Sequence, residues 1–129
     1  MTNFEKHISY WKESAVNNWD TALDLFKTKH YDACLFFCHL TIEKLLKGLV
    51  TKEIKKAAPF THDLIVLAKV ANIKLSDNQE ELMRIMNTFN IRTRYEDYKL
   101  QFYKKANRIY ADKFLKQSNK FRLWLITKY

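Results

Sequence analysis

The scarcity of turn-forming residues constrains the fold of this chain more than any other feature of its sequence. Among 129 residues there are one glycine and one proline. A sheet protein of this length needs a turn roughly every 8–12 residues, and those turns depend on glycine, proline and Asn-Gly pairs. Hydrophobic residues make up 47% of the chain, enough for one core without a metal or disulfide staple. The sequence therefore predicts a single all-α domain over residues 1–129.

Two long helices are predicted in the N-terminal half. The first spans residues 4–27, because Thr2 and Glu5 form a capping box and apolar residues then recur at steps of three and four. The second spans residues 31–52 and is apolar on nearly all sides over the stretch ACLFFCHLTI. A helix without a polar face is typical of the middle of a bundle.

The C-terminal half is predicted to contain shorter helices. Pro59 disfavours helical geometry in the residue before it, so residues 53–60 are predicted to form a linker. Capping residues and apolar spacing then predict three helices. The first spans residues 62–71 after a cap at Thr61, and the second begins at residue 77 after Ser76 and loses its helical pattern over residues 90–94. The third spans residues 103–128.

Cysteine usage and hydropathy indicate a cytoplasmic protein with no membrane span. The N-terminus is charged throughout, and no apolar run approaches 18 residues. Cys34 and Cys38 are one helical turn apart, a poor geometry for a disulfide, and such thiols suit a reducing compartment. With His30 they could offer three metal ligands, but the segment is apolar and has no fourth ligand. Core packing is therefore the prediction, with no metal and no cofactor.

Positive charge is concentrated at the C-terminal end. The chain carries a net charge of +9, and residues 92–129 hold 11 Lys or Arg against three Asp or Glu, which puts +8 in that segment. Such asymmetry predicts a phosphate-bearing partner, although a solvated helix face explains it equally well. Basic residues there alternate with aromatic ones, a pattern that suits single-stranded nucleic acid but is also common where aromatic rings belong to a helical core. The aromatic residues of this run are Tyr95, Tyr98, Phe102, Tyr103 and Tyr110.

Three short clusters carry polar chemistry beyond that of a bundle. Glu43, Lys44 and Lys47 interrupt the central helix, and Glu43 can pair with Lys47 one turn away. These residues either line a cleft or form an exposed ion-pair row. The second cluster contains His62 and Asp63, which act either as a titrating site or as helix-start chemistry. The third runs from Asn87 to Asp97 and contains Arg92, Arg94, Tyr95 and Glu96.

Together these clusters resemble the HEPN family, whose members are small helical domains often described as nucleotide-binding. The resemblance runs from Tyr10-Trp11 to Asp97 and includes Tyr31-x-Ala33, Phe37-x-His39-Leu40, Glu43-Lys44-x-x-Lys47, Thr61-His62-Asp63-Leu64 and Asn90-Ile91-Arg92-x-Arg94-Tyr95-x-Asp97. It implies an up-and-down bundle of four or five helices that forms a homodimer. It also implies a nucleotidyltransferase-like partner, in a toxin-antitoxin or defence pair.

The ribonucleases of that family are marked by an Arg followed four to six residues later by His. All four histidines of this chain precede its first arginine, Arg84. No catalytic residue is therefore predicted, and the chain is interpreted as a non-catalytic protein that binds a nucleotide or RNA. The alternatives are a metal-independent ribonuclease without the usual motif and a structural dimerisation module.

Arg92, Arg94 and Tyr95 are the predicted ligand-binding residues, because guanidinium groups bind phosphate oxygens and an aromatic ring stacks on a base. Lys47 and His62 are expected to support them, with Glu43, Lys44, Asp63 and Asp97 as further polar groups. In the alternative interpretation, the arginines cap carbonyl groups and pair with Glu96 or Asp97, while the tyrosine packs on the bundle.

Overall fold

The computed structural model describes residues 1–129 and is built from helices alone. Six α-helices and one 3-10 turn follow one another, and no strand is present. Their bounds are α1 Asn3–Lys27, α2 Tyr31–Ile54, α3 Leu64–Val70, α4 Asp77–Asn87, the 3-10 turn Ile91–Thr93, α5 Glu96–Lys105 and α6 Arg108–Ile126. The all-α prediction is confirmed, and the bundle has one helix more than the resemblance implies.

The second helix lies at the centre of the bundle, as its all-round apolar pattern predicts. It packs against α1, α3, α4, α5 and α6. Its buried residues run from Cys34 to Thr51, and both cysteines are buried and free. Two charged or titratable side chains, His39 and Glu43, are buried with them. Since a buried carboxylate needs compensating partners, the centre of α2 is where a polar site must be built.

Capping residues set the starts of α1 and α4, but the full capping box predicted for Thr2 and Glu5 is not formed, because the Glu5 side chain makes no return bond. The Thr2 hydroxyl accepts a hydrogen bond from the Glu5 backbone N–H at 3.2 Å. At α4, Ser76 accepts from the Gln79 N–H at 3.1 Å, while the Gln79 side chain accepts from the Ser76 N–H at 2.9 Å. This reciprocal capping box satisfies two backbone donors that the helix itself leaves free.

The predicted start of α3 is wrong by two residues. Asp63 is the N-cap, because its carboxylate accepts hydrogen bonds from the backbone N–H groups of Ile65 and Val66, at 2.9 and 3.4 Å. Thr61 instead accepts from the Asp63 N–H at 3.2 Å. His62 therefore lies in the extended linker between α2 and α3, where its backbone carbonyl is free for another partner.

The predicted last helix is also wrong, since residues 96–126 form two helices. Ala106 leaves helical geometry, and the Asn107 side chain accepts from the Tyr110 N–H at 2.9 Å, which starts α6. The break lets α5 reach α2 and bury Phe102. Phe102 packs beside Phe89 of the preceding loop, with ring centroids 5.7 Å apart.

Candidate functional site

The buried carboxylate of Glu43 is the centre of a polar network on α2. Its side chain is 4% exposed, and its Oε2 accepts a hydrogen bond from Lys47 Nζ at 3.0 Å. Its Oε1 accepts from His62 Nδ1, also at 3.0 Å. The predicted pairing of Glu43 with Lys47 is present, and it is partly buried rather than an exposed ion-pair row. Both oxygens thereby gain donors that offset the cost of burying the charge.

His39, one helical turn before Glu43 on α2, binds the linker between α2 and α3 through a hydrogen bond. Its Nε2–H donates to the backbone carbonyl of His62 at 3.1 Å, and its Nδ1 lies 3.7 Å from Glu43 Oε1. Burial lowers the pKa of His39 to about 4, against the smaller opposing effect of the Glu43 charge. The imidazole is therefore neutral near pH 7, and it positions His62 through hydrogen bonding rather than through charge.

His62 is held through both its backbone and its side chain while its ring stays accessible. The side chain is 46% exposed, although Nδ1 is bound to Glu43. With the Nδ1–H donated to a carboxylate, the neutral ring keeps a free lone pair on Nε2. An imidazole arranged in this way can accept a proton at Nε2 or, once protonated, donate to an anion.

A polar cleft of about 210 Å³ opens beside His62. No hydrophobic residue lines it, and its walls are formed by His62, Asp63, Asn87, Asn90, Thr93 and Arg94. We call this the polar cleft. The Asn87 side chain ties two of its walls together, since its Nδ2 donates to Asp63 Oδ1 and its Oδ1 accepts from the Leu64 N–H, both at 3.0 Å. These two hydrogen bonds hold the end of α4 against the start of α3 at the cleft.

Asn90 is the one buried side chain of the polar cleft. It is 6% exposed, and its Oδ1 has no hydrogen-bond partner. A buried polar atom without a partner costs stability unless a ligand or water satisfies it. This residue comes from the loop after α4, which also carries the two arginines.

Arg92 and Arg94 are exposed, and neither forms an ion pair. The guanidinium of Arg94 lies 4.9 Å from the centroid of the Tyr98 ring and at the wall of the polar cleft. That of Arg92 lies 5.4 Å from the centroid of Phe36. Pairing with Glu96 or Asp97 is absent, because Glu96 pairs instead with Lys99 at 3.4 Å. Both guanidinium forks keep their donors free for another acceptor.

Lys44 belongs to the same basic surface as Arg92. Its Nζ donates to the Ser14 hydroxyl at 2.6 Å, which joins α2 to α1. Burial lowers the pKa of this lysine, and the positive charges of Arg92 and Lys47 lower it further, while Glu43 opposes them. Arg92 and Lys47 thus both repel the charge of Lys44. An added anion would relieve that repulsion.

Tyr95 and Asp97 are not among the residues that line the polar cleft. Tyr95 is 90% exposed at the start of α5, so it does not pack on the bundle, and Asp97 is exposed without an ion-pair partner. Of the other predicted residues, His62, Asp63 and Arg94 line the polar cleft, and Glu43 joins His62 to Lys47. Lys44 and Arg92 are not among the lining residues.

The sequence prediction missed His39, Asn87 and Asn90 as members of this site. Residue spacing within one helix could not reveal them. His39 and Asn87 form hydrogen bonds with residues more than 20 positions away, and Asn90 lines a cleft between separate elements. The aromatic residues of the mixed aromatic and basic run differ in their exposure. Phe102 is buried in the core, whereas Tyr95 and Tyr103 remain exposed.

No three or more His, Cys, Asp or Glu side chains are grouped so that they could hold a metal ion. His30 is exposed, while Cys34 and Cys38 are fully buried, so the three do not share an accessible face. None of the helices combines the length and the apolar character that crossing a membrane requires.

These observations define a small six-helix domain whose central helix carries a buried carboxylate beside an all-polar cleft. The HEPN domain family matches residues 8–128 of the sequence. The chain belongs to the HEPN domain family. Its structure is similar to the crystal structure of TT1696 from Thermus thermophilus, with a TM-score of 0.79 and 19% identity over 95% of this chain and 98% of that one. The two proteins share their fold. No curated protein sequence matches the chain significantly.

Proposed function

We propose that this HEPN-domain protein binds a nucleotide or RNA at the polar cleft and the two arginines beside it. The observation that carries the proposal is the pair of exposed guanidinium groups, Arg92 and Arg94, without a carboxylate partner next to a cleft that has no apolar wall. Phosphate oxygens match the fork of an arginine bidentately. The exposed ring of Tyr95 is then available to stack on a base.

Surrounding groups favour an anionic ligand at this position. The positive charges of Arg92 and Lys47 both act on Lys44, and Glu43 is the carboxylate that opposes them. Segment 92–129 adds an excess of eight positive charges, since it holds 11 Lys or Arg and three Asp or Glu. His62 and Asn90 supply further hydrogen-bonding groups in the cleft. The proposed role is binding, with Glu43 and Asp63 positioning the residues that contact the ligand.

The proposal is tested with an Arg92→Ala/Arg94→Ala double variant and a fluorescently labelled single-stranded RNA, followed by anisotropy. Each charged hydrogen-bonding contact contributes about 1.5–3 kcal/mol, so affinity should fall by at least about 100-fold. Both side chains are exposed, and the melting temperature should therefore stay within about 2 °C of the wild type.

Lys69→Ala/Lys74→Ala is the matched control, because it removes the same charge from two exposed positions outside the polar cleft. Affinity should change by less than about threefold in this control at moderate salt. The slope of log Kd against log salt should also fall by about 1.4 in the arginine variant, at 0.7 for each lost phosphate contact. Equal weakening in both double variants would contradict the proposal, because binding would then follow net charge alone.

A metal-independent ribonuclease is the second candidate, and one observation favours it. The family's sequence motif is absent, yet His62 and Arg94 line the same cleft, and the buried Glu43 orients the imidazole. In that chemistry His62 would take the proton of a ribose 2′-hydroxyl, whose oxygen attacks the adjacent phosphorus to form a 2′,3′-cyclic phosphate. The bond to the 5′-oxygen breaks, and that oxygen takes a proton from water. Arg94 would stabilise the charge on the phosphate oxygens.

RNA incubated with the purified protein in EDTA distinguishes this candidate from binding alone. Cleavage that disappears in both His62→Gln and Arg94→Ala would support it. RNA that stays intact with the wild type, or cleavage that persists in His62→Gln, would reject it. The binding proposal does not require cleavage and is tested separately by anisotropy.

We further propose that the protein forms a homodimer in the cytoplasm and acts with a nucleotidyltransferase-like partner as a toxin-antitoxin or defence pair. Family membership supports this proposal, and the two free buried thiols suit a reducing compartment. Light scattering of the purified chain tests the dimer. Co-purification with the product of an adjacent nucleotidyltransferase gene tests the pair. Tight dimerisation with no RNA binding at low salt would favour a structural dimerisation module instead.

A further inference from the structure

A second cleft, of about 440 Å³, lies next to the polar one, and three of its eight lining residues are Phe, Tyr or Trp. Its walls are formed by His7, Tyr10, Trp11, Lys47, Ala57, Ala58, Pro59 and Phe60. We call it the aromatic cleft. Helix α1, helix α2 and the linker before α3 each contribute a wall. Its volume falls within the range typical of sites for small organic ligands.

The aromatic rings of this cleft are left unusually open to solvent. Phe60 is fully exposed, and Tyr10 is 60% exposed. Tyr10 packs edge-to-face on Trp11, with ring centroids 5.1 Å apart. Most of the chain's other phenylalanines are at least partly buried, as is normal for so large an apolar surface. An open ring beside a roomy cleft can therefore offer its face to another flat ring.

Lys47 brings a positive charge to the same cleft. Its Nζ lies 5.5 Å from the centroid of the Trp11 ring and 3.0 Å from Glu43 Oε2, and its side chain is 13% exposed. The cation is therefore held in one place between an aromatic wall and a buried carboxylate. His7 adds a second polar group to the walls.

Two features connect the aromatic and polar clefts, the Glu43 carboxylate and the linker between α2 and α3. Glu43 binds Lys47 of the aromatic cleft with one oxygen and His62 of the polar cleft with the other, each at 3.0 Å. Phe60 and His62 are two residues apart in the linker, so their Cα atoms are at most about 7 Å apart. A chain molecule can therefore reach both clefts with adjacent units.

We propose that the aromatic cleft stacks one base of a single-stranded RNA whose phosphates bind at the polar cleft. This inference rests on the proposed function and narrows its ligand from a nucleotide or RNA to an oligonucleotide. A base offers a flat face to Phe60 and Tyr10, and Lys47 adds a positive charge to the same cleft. An apolar protein side chain in the same place would desolvate that ammonium without giving it a new partner. The flat exposed rings and the adjacent ammonium group therefore favour RNA over a protein partner.

The test compares three probes on the full chain: labelled oligoadenylate of about eight nucleotides, AMP and inorganic polyphosphate, which carries phosphates without bases. Stacking predicts that Phe60→Ala weakens oligoadenylate binding by about 5- to 100-fold and leaves polyphosphate binding unchanged. Phe60→Trp should retain binding, because it keeps a flat ring. Ile109→Ala, which removes an exposed apolar side chain outside the cleft, is the matched control and should have no effect.

The outcomes separate this inference from the proposed function. If Phe60→Ala leaves oligoadenylate affinity unchanged while the Arg92→Ala/Arg94→Ala variant loses it, the stacking proposal is overturned and the proposed function stands. If the wild type binds neither oligoadenylate nor AMP at low salt, the proposed function fails, and this inference fails with it. If AMP binds as tightly as the oligonucleotide, the proposal that one RNA strand occupies both clefts is overturned.

A protein contact at the aromatic cleft has a different signature. If Phe60→Ala changes the oligomeric state in light scattering while RNA affinity is retained, the cleft joins two copies of this chain and the stacking proposal is overturned. Phe60 contributes nothing to the core, so all variants should keep the melting temperature of the wild type.

Discussion

His39→Gln should remove a large part of the pH dependence of this protein's stability between pH 7 and pH 5. The imidazole is fully buried, and burial lowers its pKa from 6.5 to about 4. Glu43 favours the protonated ring, while His62 and Arg92 oppose it. Glutamine cannot ionise, but its amide N–H can still reach the His62 carbonyl, so the substitution isolates the titration.

The sign and size follow from comparing folded and unfolded chains. The unfolded imidazole takes up a proton near pH 6.5, whereas the folded one stays neutral until about pH 4. The unfolded state therefore binds more protons in this window, and stability is lost as the pH falls through it. Stability falls by about 1.4 kcal/mol for each pH unit below the unfolded pKa of 6.5, so the loss attributable to His39 between pH 7 and pH 5 is about 2 kcal/mol.

Urea unfolding at pH 7 and pH 5 measures this loss. The difference in unfolding free energy between the two pH values should be about 2 kcal/mol smaller in His39→Gln than in the wild type. His30→Gln is the control, because His30 is exposed and should leave the difference unchanged. The other titrating groups are common to all three proteins and cancel. A wild-type difference retained in full by His39→Gln would refute the assignment of this titration to the buried ring.

Three further substitutions probe packing and capping through urea unfolding. A Cβ on Gly48 would collide with the Tyr129 hydroxyl and displace it from the Leu45 carbonyl, while alanine favours the helix by about 1 kcal/mol, so Gly48→Ala should have a net cost of about 1 kcal/mol. The cost should be smaller in a Tyr129→Phe background, and equal costs would count against this clash. Ser76→Ala breaks the capping box of α4 and should cost about 1 kcal/mol, whereas Ser9→Ala within α1 should cost nothing; matching effects would contradict the capping role. Asp63→Ala removes both the cap of α3 and the contact with α4, and should cost more than about 1 kcal/mol; a change within about 0.3 kcal/mol would contradict this.

Helix starts could be predicted from the sequence wherever one capping residue stood alone. Ser76 has its partner Gln79 three residues on, and the structure shows the reciprocal bonds between them. At α3, Thr61 and Asp63 compete, and both can cap. The carboxylate lies closer to the apolar run and accepts from two backbone N–H groups, so it sets the helix start at Leu64. That choice placed His62 in the linker.

The break between α5 and α6 shows a different limit. Apolar positions continue through residues 103–128 at helical spacing, which predicted one helix, and the capping role of Asn107 was not recognised. Burial of Phe102 against Phe89 requires α5 to turn away from α6. The pattern of a single helix does not record that requirement, because the partner ring lies in another element.

The sequence by itself determined the helical class through its scarcity of turn-forming residues. It also determined the central position of α2 and the pairing of Glu43 with Lys47, because both depend on spacing within one helix. Only the tertiary structure decided which polar groups meet. His62 reaches Glu43 across 19 positions, and it shares a cleft with Arg94 from a third element. The path of the linker and the packing of α3 and α4 set those distances, and periodicity within a helix carries no information about either.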